Sequence, residues 1–70
     1  MNNNINIFDE QEVKHLIKSL EEEKERHRQE KIAQKIGNMK DERTAELVAG
    51  LLYSEDGYIR NTAIELLVAL

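Results

Sequence analysis

Leu51-Leu52-Tyr53-Ser54-Glu55-Asp56-Gly57-Tyr58-Ile59-Arg60-Asn61-Thr62-Ala63-Ile64-Glu65-Leu66-Leu67 is the stretch that decides the fold. Its centre, Ser54-Glu55-Asp56-Gly57, is the clearest turn in the chain, because Ser, Asp and Gly each favour turn geometry for a separate backbone reason. Ahead of the turn, Leu47, Val48, Leu51 and Leu52 make a two-row apolar face. Behind it, Ile59, Ala63, Leu66, Leu67 and Leu70 recur at the spacing that gathers apolar side chains on one side of an α-helix. Helix, tight turn and second helix follow, the last starting near Gly57.

Upstream, Asp41 is placed to cap the first helix of this hairpin, and Gly37-Asn38 offers a left-handed residue to close the helix before it. That preceding helix carries Ile32, Ile36 and Met39 on one stripe. Farther back, Asp9 is a good N-cap with Glu12 three residues on, as in a capping box, and Phe8 can staple onto Val13. Val13, Leu16, Ile17 and Leu20 then fall at i, i+3, i+4 and i+7. From Glu21 to Lys31 there is no apolar residue, and no Gly or Pro either, so this stretch permits a bend, a break or a continuous helix. Met1–Ile7, with four Asn among its seven residues, has no helical period, and residues 1–8 read as a disordered leader.

Displacing the chain against itself by about 31 residues superposes the apolar positions without a gap, a period in the range of helical repeats. Leu16 meets Leu47, Ile17 meets Val48, Leu20 meets Leu51, Ile32 meets Ala63 and Ile36 meets Leu67. The second copy resembles the HEAT and HEAT-like repeat pattern: two leucines, a short acidic turn, a β-branched residue plus Arg, then Ala three further on. Ile59, Arg60, Ala63 and Leu67 occupy the matching places. Ile36-Gly37, Asp41 and Arg43 are similar to the junction between repeats of the short bilin-lyase type. Ser54 stands where the family prefers Asp, and Arg28-Gln29 replaces the β-branched residue and Arg in the first copy. The resemblance implies an all-α fold of two antiparallel helical hairpins from an α-solenoid, with an atypical, polar N-terminal repeat at 9–39 and a second repeat at 40–70. It also implies that the second helices line a concave partner surface, which makes Arg28, Lys31, Lys35 and Arg60 candidate contacts for an acidic protein partner. For Arg60 it further implies a structural reach to an acidic or carbonyl group of the adjoining turn or repeat.

Composition narrows the function. Seventy residues, 34% charged and 4% aromatic, suit exposed helices better than strands. With no Cys there is neither a disulfide nor a thiolate metal site. Apolar residues are nowhere gathered into the roughly 20 that a membrane span requires, and residues 1–8 lack the pattern of a signal peptide, so a cytoplasmic chain is expected. His15 and His27 have no second His at helical ligand spacing, and no Ser or Thr has a neighbouring His that would make a triad plausible, so a non-enzymatic role without cofactor or metal is the reading.

Charge runs in blocks: six acids and two bases in residues 1–23, two acids and six bases in 24–40, six acids and two bases in 41–70. Lys24, Arg28, Lys31 and Lys35 would form one basic stripe on a continuous helix. The net charge of −4 argues against a dedicated nucleic-acid binder, although weak phosphate binding through 24–40 is one alternative. Another is a coiled-coil dimer built on one uninterrupted helix, residues 9–36, a reading weakened by the absence of apolar a and d residues over 21–31. The apolar ending Val68-Ala69-Leu70 has no cap. It reads as the interior of a longer array and is expected to self-associate through the C-terminal helix.

Overall fold

A computed structural model describes residues 8–70, so the expected leader at 1–7 lies outside the described residues. Its secondary structure is entirely helical: α1 (Glu10–Glu22), α2 (Arg26–Gly37), α3 (Glu42–Val48) continuing into a 3-10 segment (Ala49–Tyr53), and α4 (Gly57–Ala69). Three Asp side chains accept from backbone N–H groups at helix starts, Asp9 and Asp41 where the sequence places caps and Asp56 ahead of the last helix. Asp9 accepts from the Glu12 N–H at 3.2 Å, Asp41 from the Arg43 N–H at 2.8 Å, and Asp56 from the Tyr58 N–H at 2.8 Å. Each satisfies a donor that the helix itself leaves unpaired.

The polar stretch after Glu21 breaks. Glu23 (ψ 134°) and Glu25 (ψ 122°) are extended, and the Glu25 carboxylate caps α2 by accepting from the Arg28 N–H at 3.0 Å. The uninterrupted helix over 9–36 is therefore not formed, and the chain turns back at Glu23–Glu25 to lay α2 against α1. This corner recurs in the second half. The Glu23 carboxylate accepts from the Glu25 N–H at 3.1 Å, as the Ser54 hydroxyl accepts from the Asp56 N–H at 3.1 Å. Gln29 Nε2 donates to the Glu23 carbonyl at 2.9 Å, as Arg60 Nη1 donates to the Ser54 carbonyl at 2.7 Å. Glu25 and Asp56 hold the equivalent N-cap positions. Three residues in each corner thus share roles at the same displacement that superposes the apolar positions.

Within each hairpin the two helices pack on each other, and across the hairpins α1 meets α3 while α2 meets α4. The direction of the α2–α4 contact follows from its two ends. The Arg26 guanidinium, at the start of α2, lies 3.7 Å from the centroid of the Tyr58 ring, at the start of α4. Gly37, at the end of α2, faces Leu66 in the later part of α4. The two helices therefore run parallel. Leu20, Ile36, Val48, Leu51, Ile59, Ala63 and Leu66 form the buried cluster, with Leu16, Ile17, Ile32, Tyr58, Leu67 and Leu70 half-buried against it. Every element contributes to this one core.

Three local expectations are corrected. Residues 42–52 do not form one α-helix, since the backbone tightens to 3-10 after Val48. With three residues per turn, Leu51 comes into line with Val48, and both are buried, while Leu47 is left half-buried and Leu52 36% exposed. The apolar face is consequently one row and not two. Gly37 does not supply a left-handed cap: no described residue has positive φ, and α2 ends through Asn38 in the right-handed region. Its lack of a side chain serves packing, because a Cβ there would sit 3.3 Å from Leu66 Cδ2. Finally, Phe8, assigned to the leader, is half-buried with the Arg43 guanidinium 4.3 Å above its ring.

Candidate functional site

Parallel packing of α2 and α4 leaves a groove of about 640 Å³ between them. Its walls are Glu30, Ala33, Gln34, Gly37 and Asn38 on α2 and its cap, and Tyr58, Thr62, Glu65 and Leu66 on α4. The α2 positions fall at i, i+3, i+4, i+7 and i+8 and the α4 positions at i, i+4, i+7 and i+8, each set a single helical face. Ala33 and Gly37 are small, so the groove floor is backbone and short side chains. Glu30 and Glu65 stand on opposite walls, and neither is in an ion pair among the described residues. Arg26 lies over Tyr58 and donates to Gln29 Oε1 at 3.3 Å, and Lys40 Nζ donates to the Ala69 carbonyl at 3.2 Å, so both cations keep their charge against neutral partners. Glu30 and Glu65 thus place two carboxylates on the groove walls, with amide and hydroxyl groups between them.

None of the residues singled out as partner contacts lies in this groove. Arg28, Lys31 and Lys35 are exposed together on another face of α2, and among the described residues only Arg28 is near a carboxylate, Glu25 at 3.9 Å. Lys24 precedes the helix, so the basic stripe shortens to three residues. Arg60 is exposed on α4, with its guanidinium on the Ser54 carbonyl. The groove carboxylates were not distinguishable in the sequence from the other twelve Asp and Glu, and only the register between α2 and α4 selects them.

Among the described residues no three His, Cys, Asp or Glu side chains are placed to hold a metal ion, and both histidines are exposed. No helix among the described residues is long and apolar enough to cross a membrane. One carboxylate is clearly perturbed: Asp41 is lowered to about 2, first by the side-chain bonds from Arg43 (Nε at 2.9 Å, Nη2 at 2.8 Å) and then by the Arg43 N–H. It belongs to the α3 cap and not to the groove. The class defined by these features is an all-helical chain of two hairpins joined through one core, with a groove walled by two carboxylates between the second helices. Protein-family models, curated proteins and solved structures yield no match to the chain.

Proposed function

We propose that this chain is a non-enzymatic protein-interaction scaffold, a pair of HEAT-like hairpins that binds a partner segment along the α2–α4 groove. The observation that carries the reading is the parallel course of the two second helices, which opens a continuous groove of about 640 Å³ with polar groups along both walls. Grooves between helices are the surface on which helical repeats receive partners, and pockets of several hundred Å³ bury a useful part of a peptide side-chain row. The carboxylates of Glu30 and Glu65 favour a partner with cationic side chains there. An acidic partner would need the opposite face of α2, where Arg28, Lys31 and Lys35 stand.

A photo-crosslinking amino acid placed at Gln34, on the groove wall, tests this in cells that make the chain. A discrete adduct from Gln34 and none from the exposed Lys14 of α1 is the expected result. Equal labelling from both positions, or none from Gln34, sinks the reading.

A further inference from the structure

The two corners share their bonds but not their chemistry. Asp56 is followed directly by Gly57, whereas the equivalent residues of the first corner are Glu25 and Arg26, and the other two aspartates, Asp9 and Asp41, each precede a Glu. In an Asp-Gly pair the glycine nitrogen has no side chain beside it and attacks the Asp γ-carbon to close a five-membered imide. A glutamate would have to close a larger ring, and a side chain on the following residue crowds the nitrogen. Nothing in the backbone requires glycine here: no described residue has positive φ, and a Cβ on Gly57 would meet only Arg60 Nη2, at 3.5 Å, an ordinary contact. Asp56 and Gly57 are both exposed, and the Gly57 N–H, first in α4, has no carbonyl partner within the helix. Nucleophile and electrophile are thus adjacent and open to water.

What keeps them apart is the conformation of the corner. Ring closure requires rotation about the Asp56 Cα–C bond until the Gly57 nitrogen comes level with Cβ, and at ψ 118° it is held well away. Three bonds hold that conformation: the Asp56 carboxylate accepts from the Tyr58 N–H at 2.8 Å, the Asp56 N–H donates to the Ser54 hydroxyl at 3.1 Å, and Arg60 Nη1 donates to the Ser54 carbonyl at 2.7 Å. All three are exposed, so the corner opens locally at lower cost than the core. We infer that Asp56–Gly57 is a self-modification site which the folded corner holds shut, and that Asp56 isomerises to isoaspartate in chains whose corner opens. The Gly57 nitrogen bonds to Asp56 Cγ, and the amide proton and one carboxylate oxygen leave, with a proton from solvent, as water. Water then adds at the main-chain carbonyl carbon of Asp56, breaks its bond to the Gly57 nitrogen and returns the solvent proton. No other reactant is consumed. The main chain now runs through the former side chain, one methylene longer, and the free carboxylate stands on Cα. The group that capped the Tyr58 N–H has become part of the peptide link, so an isomerised chain does not close this corner as before.

Incubation of the 70-residue chain at neutral pH, folded in buffer and unfolded in guanidinium chloride, tests this. Peptide mapping by mass spectrometry with fragmentation that distinguishes the two linkages reads isoaspartate at position 56, with Asp9 and Asp41 as internal controls. Isoaspartate is expected at position 56 and to accumulate at least ~tenfold faster in the unfolded chain, since the folded one reacts only during local opening. Arg60→Leu, folded by circular dichroism, should react faster than the folded parent. Ser54→Ala, which removes the acceptor of the Asp56 N–H, takes its place should Arg60→Leu lose its helical signal. Gly57→Ala should suppress the reaction in both solvents with the helical signal kept. Equal rates in the folded and unfolded parent overturn the inference, as does an unfolded chain without isoaspartate at position 56. So does an opened-corner variant that reacts no faster than the folded parent, or a Gly57→Ala chain that reacts as fast as the parent. None of these outcomes depends on what the groove binds.

Discussion

Gln29 and Arg60 make the same bond at equivalent corners: each side chain reaches back six residues to donate to a backbone carbonyl, that of Glu23 in one hairpin and of Ser54 in the other. The carbonyls are the equivalent residues that follow the first helical segment of each hairpin. A buried amide does in the first copy what an exposed guanidinium does in the second, since Gln29 is 6% exposed and lies against its corner. Removing the Gln29 amide leaves the Glu23 carbonyl without that donor and opens a gap at the corner. Gln29→Ala is therefore expected to cost about 1–3 kcal/mol. Arg60→Leu should cost about 0.5–1.5 kcal/mol, because its bond is exposed to water, and Arg60→Gln should recover part of that loss. Urea denaturation of the three variants measures the order; an Arg60→Gln protein no better than Arg60→Leu would show that the corner bond contributes nothing.

Core truncations separate the observed register from the one the sequence suggested. Leu51 is 1% exposed within the central cluster, whereas Leu47 is half-buried and stands outside it. Leu51→Ala is expected to cost about 2–5 kcal/mol, a range that reaches the whole stability of so small a chain. Leu47→Ala should cost clearly less. Thermal melts followed by circular dichroism decide, and equal losses would restore the two-row face.

Much of this architecture was legible because its signals are local. Asp9 and Asp41 announce helix starts through their side-chain oxygens, and Ser54–Gly57 announces a turn through its residue types. The apolar periods place Leu20, Ile36, Leu51 and Ala63 in the core where they are found. What escaped depends on tertiary context. Whether residues 21–31 break could not be read from helix-tolerant side chains; the break is held by Glu25 as a cap and by Gln29 folding back, and neither is a strong signal by type. The 3-10 segment leaves Val48 and Leu51 as the buried row and turns Leu47 and Leu52 outward, a rotation too small for a periodicity count to resolve. Gly37 carried the sequence mark of a left-handed cap but meets a packing need from Leu66, a residue distant in the chain. For the site, the basic residues were visible as a cluster, while the groove carboxylates Glu30 and Glu65 came together only through the parallel docking of α2 and α4.

Acid should act on the cap of α3. Arg43 holds the Asp41 carboxyl at about 2, below its ordinary 3.8, so the folded state binds that proton less readily than the unfolded chain. The stabilisation is complete above about pH 4 and is lost as pH falls through 4 toward 2. Asp41→Asn keeps a side-chain oxygen for the Arg43 N–H but removes the ion pair. Melting temperatures of the parent are expected to fall more steeply between pH 5 and pH 2.5 than those of the variant. Carbon-detected NMR titration gives the direct check, and an Asp41 carboxyl titrating near 3.8 would remove the argument.

Thr44 offers a stabilising change. Its side chain is fully buried, and Oγ1 has no hydrogen-bond partner among the described residues, while its N–H is satisfied by the Asp41 carbonyl at 3.0 Å. An unpaired buried hydroxyl keeps the penalty of leaving water, about 1–3 kcal/mol, and a methyl group in the same place does not. Val matches the branched shape of Thr and differs little from it in helix propensity, so neither packing volume nor backbone preference opposes the exchange. Thr44→Val should therefore raise stability by about 1 kcal/mol. The urea midpoint is expected to increase with the slope of the transition unchanged, which marks a change in stability and not in the compactness of either state. A lower midpoint would mean that the Thr44 hydroxyl is paired in solution and would remove the argument.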